Sequence, residues 1–105
     1  MPAAPLPLDE TARLATLRSL RLLDTPAEAP WDSLVRCAAL LTASPTAVIT
    51  LVDESRQWFK ARVGLEFCET SRDVAFCAHA ILGDSLLEVA DARADARFSD
   101  NPLVT

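Results

Sequence analysis

At 105 residues, half of them hydrophobic and 24% charged, the chain suits one globular domain and excludes a disordered segment. A net charge of -5 excludes a surface of clustered lysine and arginine, so no nucleic-acid partner is expected. Three cysteines are an odd number at low density, which fits free thiols in a reducing cytoplasm better than a disulfide framework.

The chain opens on "MPAAPLPLDE", with prolines where a signal peptide needs a basic start and an apolar core. No apolar run is long enough to span a membrane. The expectation is a cytoplasmic protein without membrane insertion. Residues 1–7 read as a flexible leader and 8–105 as one domain. Asp9 can cap a helix over "ETARLATLRSLRLLD". Leu14, Leu17 and Leu20 share a stripe there, while Arg21 intrudes on it and Leu22 falls opposite. Apolar residues on more than one side point to packing against a second chain, so a homodimer is expected through this helix. Thr25, Pro26 and Glu28 have the spacing of a capping box for a second helix. Trp31, Leu34, Val35, Ala38 and Leu41 then recur at helical spacing, and Ser44-Pro45 ends the run.

The period changes at "TAVITLVDE", which is β-branched and apolar on both faces and reads as a central strand over 46–54. "DESR" turns the chain into a second strand over 57–63. Phe59, Ala61 and Val63 share one of its faces. Arg56, Trp58, Lys60 and Arg62 share the other, a face that is solvated or lines an anion-friendly pocket. "LEFCETSR" reads as a loop, "DVAFCAHAIL" as a short helix ended by Gly83, and "SLLEVAD" as a third strand over 86–90. "ARADARFSDNPLVT" reads as a salt-bridged loop.

The only histidine, His79, sits two residues from Cys77. On a helix the two lie about 200° apart, so they do not grip one ion together, and with Cys68 they make three ligands at most. No metal site is expected. A redox pair of Cys68 and Cys77 has no short motif behind it. Packing is the simpler reading, with Phe76, Ala80 and Ile81 as the buried face.

Taken in order, "LRLLDTPAE", "WDSLVRCAALL", "AVITLVDE", "RQWFKARVGL", "FCAHAIL" and "VADARADARFSDNPLV" resemble a GAF domain of the kind found at the N-terminus of bacterial sensor histidine kinases and diguanylate cyclases. The resemblance covers residues 8–105. It implies an α/β (α+β) fold, an antiparallel sheet with long helices on one face and a pocket roofed by short helices and loops on the other. It implies that "DVAFCAHAIL" is the roof. Carried over residue by residue, Trp58, Lys60 and Arg62 would face the pocket from the sheet. Phe76, Cys77 and His79 would face it from the roof, and Asp91, Arg97 and Phe98 would close it. The implied function is a non-catalytic sensory domain that binds a small molecule, anionic or aromatic given the basic strand face. It would control an output domain, a histidine kinase or diguanylate cyclase, carried in cis. No cofactor is expected. A covalent bilin is disfavoured, because the later cysteine used for attachment is missing. A redox enzyme or thiol sensor similar to free methionine sulfoxide reductases ranks second, and a dimerisation module without ligand third. The resemblance also implies further strands after Thr105, so a domain truncated at its C-terminal end is expected.

Overall fold

The structure, a computed structural model, describes residues 3–104; Met1 and Pro2 of the expected leader and Thr105 lie outside the described residues. The fold is α+β. Helices α1 (Glu10–Ser19) and α2 (Ala29–Thr42) precede a hairpin of strands β1 (Ala47–Val52) and β2 (Arg56–Val63). A short strand β3 (Glu69–Ser71), a 3-10 turn at Arg72–Val74 and helix α3 (Phe76–Ala80) follow. The sheet is antiparallel with order β1-β2-β3. Among the described residues no strand pairs with the outer edge of β1.

Local chemistry explains each boundary. α1 buries Leu14 and Leu17 and stops at Ser19, short of the expected length, because Arg21 and Asp24 take left-handed φ angles of 54° and 61°. Burial of those two leucines turns the best apolar stripe of α1 inward, while Leu20 stays exposed. The expected capping box does not form. The Thr25 hydroxyl donates to the Leu22 carbonyl at 2.6 Å instead, and α2 begins at Ala29 with Pro30 in its first turn. Pro30 suits that place, since the first turn has no use for its missing N–H. α2 ends in a left-handed residue, Ala43 (φ 51°), with Ser44 N–H closing on Ala39 O at 3.0 Å. Glycine holds that conformation without a Cβ clash. Ala43→Gly is therefore expected to stabilise the fold by about 0.5–1 kcal/mol, read as a higher urea midpoint. An unchanged or lower midpoint would show that the helix end tolerates the Cβ.

The hairpin forms as expected, but β1, read as a central strand, is an edge strand of the described sheet, with β2 at the centre. Ile49 pairs with Ala61 but Thr50 pairs with Phe59, so Lys60 is an extra residue bulging from β2. The expected third strand over 86–90 is not a strand; those residues are irregular. The third strand is β3, inside the segment read as a loop, and it pairs Glu69–Ser71 with Trp58–Arg56. α2 covers β1 and β2 on one face of the sheet, and α3 with the C-terminal segment lies on the other. That segment is pinned by Phe98, fully buried and stacked on Phe76 with ring centroids 4.0 Å apart, and by Asn101, whose Nδ2 donates to Val74 O at 2.8 Å. No helix among the described residues is long and apolar enough to cross a membrane.

Candidate functional site

The face of the sheet opposite α2 carries a cleft of about 400 Å³. Val48, Gln57, Phe59 and Phe67 line it from the sheet side, and Phe76 and Cys77 from the roof. β2 delivers Gln57 and Phe59 there because they alternate with Arg56 and Trp58. Phe67 packs on Phe59 at 5.7 Å between centroids. Gln57 is 6% exposed; its Nε2 donates to Thr70 Oγ1 at 3.3 Å, while its Oε1 is buried with no hydrogen-bond partner. The Thr50 hydroxyl donates to Cys77 Sγ at 3.2 Å, which ties the roof to β1. The cleft thus offers aromatic and aliphatic wall with one unsatisfied acceptor and a thiol.

Of the residues expected at a pocket, Phe76 and Cys77 do line the cleft. His79 and Phe98 pack behind it, ring to ring at 5.0 Å. His79 Nε2 is buried without a partner, and burial, followed by the positive charge of Arg97, pushes its pKa below the usual histidine value. Asp91 accepts Arg93 N–H on its own carboxylate at 3.0 Å, ordering its loop. Arg97 grips Asp95 at 2.7 Å and lies over the Phe98 ring at 5.2 Å. That grip, chiefly the side-chain hydrogen bonds, holds the Asp95 carboxyl at about 2.

The basic strand face is a correction. Arg56 and Lys60 bond to the α1–α2 connection and not to the roof, and the bulge at Lys60 breaks the expected alternation, so that Trp58 pairs with Leu51 while Arg62 pairs with Val48, which lies on the other face of β1. Arg56 is held by Asp24 and Asp53. Arg62 Nε donates to Leu65 O at 3.1 Å. Lys60 is 4% exposed, and its ammonium meets three acceptors: Thr25 Oγ1 at 2.6 Å, Pro26 O at 2.9 Å and Glu28 Oε2 at 2.5 Å. A saturated ammonium has no donor left for an anion, so the warrant for an anionic ligand on this face is gone. Gln57, Thr70 and Phe67 were missed. The alternation that set Gln57 apart from Trp58 was the only available signal for them, and it does not say which layer covers which face.

The class is thus an α+β domain whose three-stranded antiparallel sheet sits between α2 and a thin roof. No protein-family model matches the chain. Over 104 residues, 99% of its length, the chain is 42% identical to a cyclic di-GMP phosphodiesterase of Pseudomonas aeruginosa, and it spans 18% of that relative's length. This finding overturns the expected function. A non-catalytic ligand sensor controlling a histidine kinase or diguanylate cyclase does not agree with a relative named for breaking cyclic di-GMP down.

Proposed function

We propose that this chain is a regulatory part of a cyclic di-GMP phosphodiesterase. The observation behind the proposal is the likeness that runs through 99% of the chain yet covers only 18% of the relative. The chemistry of the cleft is in keeping with it. Hydrolysing a phosphodiester calls for groups that activate water and stabilise charge on the phosphoryl oxygens. The sheet–roof cleft presents aromatic rings, an amide and a thiol, and its neighbouring cation Lys60 is spent on the α1–α2 connection. In this reading the reacting groups belong to the remainder of such an enzyme, and this part acts on them through its attachment.

The test has two arms. The matching stretch is deleted from the Pseudomonas relative, and cyclic di-GMP hydrolysis is followed by chromatography of the products. Retained hydrolysis at a rate changed by about threefold or more, roughly 0.7 kcal/mol in the barrier, supports the regulatory reading. The 105-residue chain alone is then assayed with the same substrate. Turnover by the chain alone, or a deletion without effect, overturns the reading.

A further inference from the structure

The connection between α1 and α2, residues 20–28, is held down chiefly by polar contacts. None of its residues is buried; Leu22, Leu23 and Thr25 are half-buried and the rest exposed. Two cations of β2 hold it. Arg56 donates two hydrogen bonds to the Asp24 carboxylate, at 2.8 and 2.7 Å. Lys60 donates to Thr25, Pro26 and Glu28. Lys60 is also the bulge residue. Its neighbours Phe59 and Ala61 pair with Thr50 and Ile49, which are consecutive on β1, so the ladder makes no use of Lys60. Its contacts go to the connection instead.

Seating the connection is costly in two ways. Arg21 and Asp24 are held at left-handed φ angles of 54° and 61°, which residues with a Cβ adopt only when their surroundings enforce it. The Lys60 ammonium is taken out of water, and only its full set of acceptors offsets that loss. Lifting the connection relaxes both residues and rehydrates the ammonium. It gives up polar contacts but little apolar burial, and segments with few buried apolar contacts open at the low end of a fold's stability range.

We propose that residues 20–28 are a strap over β2 that opens and closes as a unit while α1, α2 and the sheet stay folded. Closed, the strap cages Lys60 and pairs Asp24 with Arg56. Open, it frees the Lys60 ammonium and the carboxylates of Asp24 and Glu28. It also uncovers Trp58, which is 8% exposed in the closed state and lines a cleft with Asp24, Thr25 and Ala27. Two states that present different charges are what a partner needs in order to bias a fold. The strap goes beyond the regulatory reading and does not depend on it.

Hydrogen exchange on the 105-residue chain, followed residue by residue by NMR at low urea concentrations, tests this. The Thr25 amide is bonded within the strap, to Leu22 O at 3.3 Å, and the Phe59 amide within the sheet layer, to Cys68 O at 3.0 Å. The amide of Val35, a buried residue of α2, is a second reference. Thr25 is expected to exchange about 100-fold faster than Phe59 and Val35, and with a much weaker dependence on urea, because lifting the strap exposes little surface. Glu28→Gln is expected to speed Thr25 by about tenfold or more and to keep that weak dependence, since Lys60 loses its only carboxylate among the described residues. Arg21→Gly is expected to slow Thr25 by about threefold, since glycine holds the closed φ without strain. Thr25 exchange that matches Phe59 and Val35 in rate and urea dependence overturns the proposal, because the strap then opens only with the whole fold. Unchanged Thr25 exchange in Glu28→Gln overturns it too, because the cage is then not what holds the strap. Should Glu28→Gln fail to fold, the unaltered chain and Arg21→Gly decide: unchanged or faster Thr25 exchange in Arg21→Gly overturns the proposal.

Discussion

Gly64→Ala is expected to lower the stability of the fold by about 2–4 kcal/mol, from backbone strain and overpacking together. Gly64 follows the end of β2 with φ 79°, a conformation that costs an L-residue energy on its own. The surroundings make it worse. A Cβ built there runs into the Pro45 carbonyl oxygen, and Thr46 Oγ1 stands at 3.1 Å. Pro45 and Thr46 are the residues that lead into β1, so the neighbour is backbone and cannot rotate aside. The change thus presses apart the two strand ends that make the hairpin. Urea unfolding followed by the fluorescence of Trp31 and Trp58 measures it. Gly83→Ala is the control, because nothing lies within 4 Å of the Cβ it would add. If both variants lose about 1 kcal/mol or less, position 64 is not the tight junction described.

Glu10→Ala is expected to cost about 3–5 kcal/mol, because it strands a buried charge. Arg72 has a side-chain exposure of 8%, and Glu10 is its only carboxylate partner among the described residues, at 2.5 Å. Glu10 also holds Arg13 through two contacts of 2.9 and 2.8 Å, and Arg72 reaches the Asp53 carbonyl at 3.1 Å. One carboxylate thus fastens α1 to the hairpin and the 3-10 turn. The same contacts set its acid behaviour. Hydrogen bonds from Arg13, then from Arg72, hold the Glu10 carboxyl at about 2 against an ordinary value of 4.5. A folded pKa below the unfolded one gives stability that is complete above 4.5 and drains as pH falls toward 2. His79 adds an earlier stage: its folded pKa also lies below the ordinary 6.5, so its share is lost as pH falls from there. Stability should decline in two stages, below about pH 6.5 and again below about 4.5. Glu10→Gln should flatten the second stage. A Glu10→Gln curve that runs parallel to the unaltered one over that range would sink this account.

The sequence was most legible where one period ran long enough to be unambiguous. α2 and the β1–β2 hairpin are such stretches. β3 was not legible, because Glu69-Thr70-Ser71 is too short and polar to carry a period; it is a strand only because Arg56–Trp58 lies ready to pair. "SLLEVA" carries the apolar pattern of a strand, yet no neighbour among the described residues pairs with it, and it stays irregular. The two faces of β2 were sorted correctly only up to the bulge at Lys60, which puts Phe59 opposite Thr50 and Ala61 opposite Ile49 and so parts Phe59 from Ala61 and Val63, and the faces were assigned to the wrong layers. Period two separates residues into two sets but is silent on which layer covers each. That depended on residues 25–28, which looked like a helix cap and serve instead as a cage for Lys60. Phe76 and Cys77 were legible as cleft residues only through their place in the roof. Gln57 was hidden by the same misassignment of faces.

Lys60 is the chain's only lysine. With its side chain 1% exposed, the native protein presents no lysine amine to solvent. Amine acylating reagents should therefore leave residue 60 untouched in the folded state and modify it whenever the α1–α2 connection lifts from β2. The sequence carries a chemical clock for that one local opening, readable by mass spectrometry without any added label.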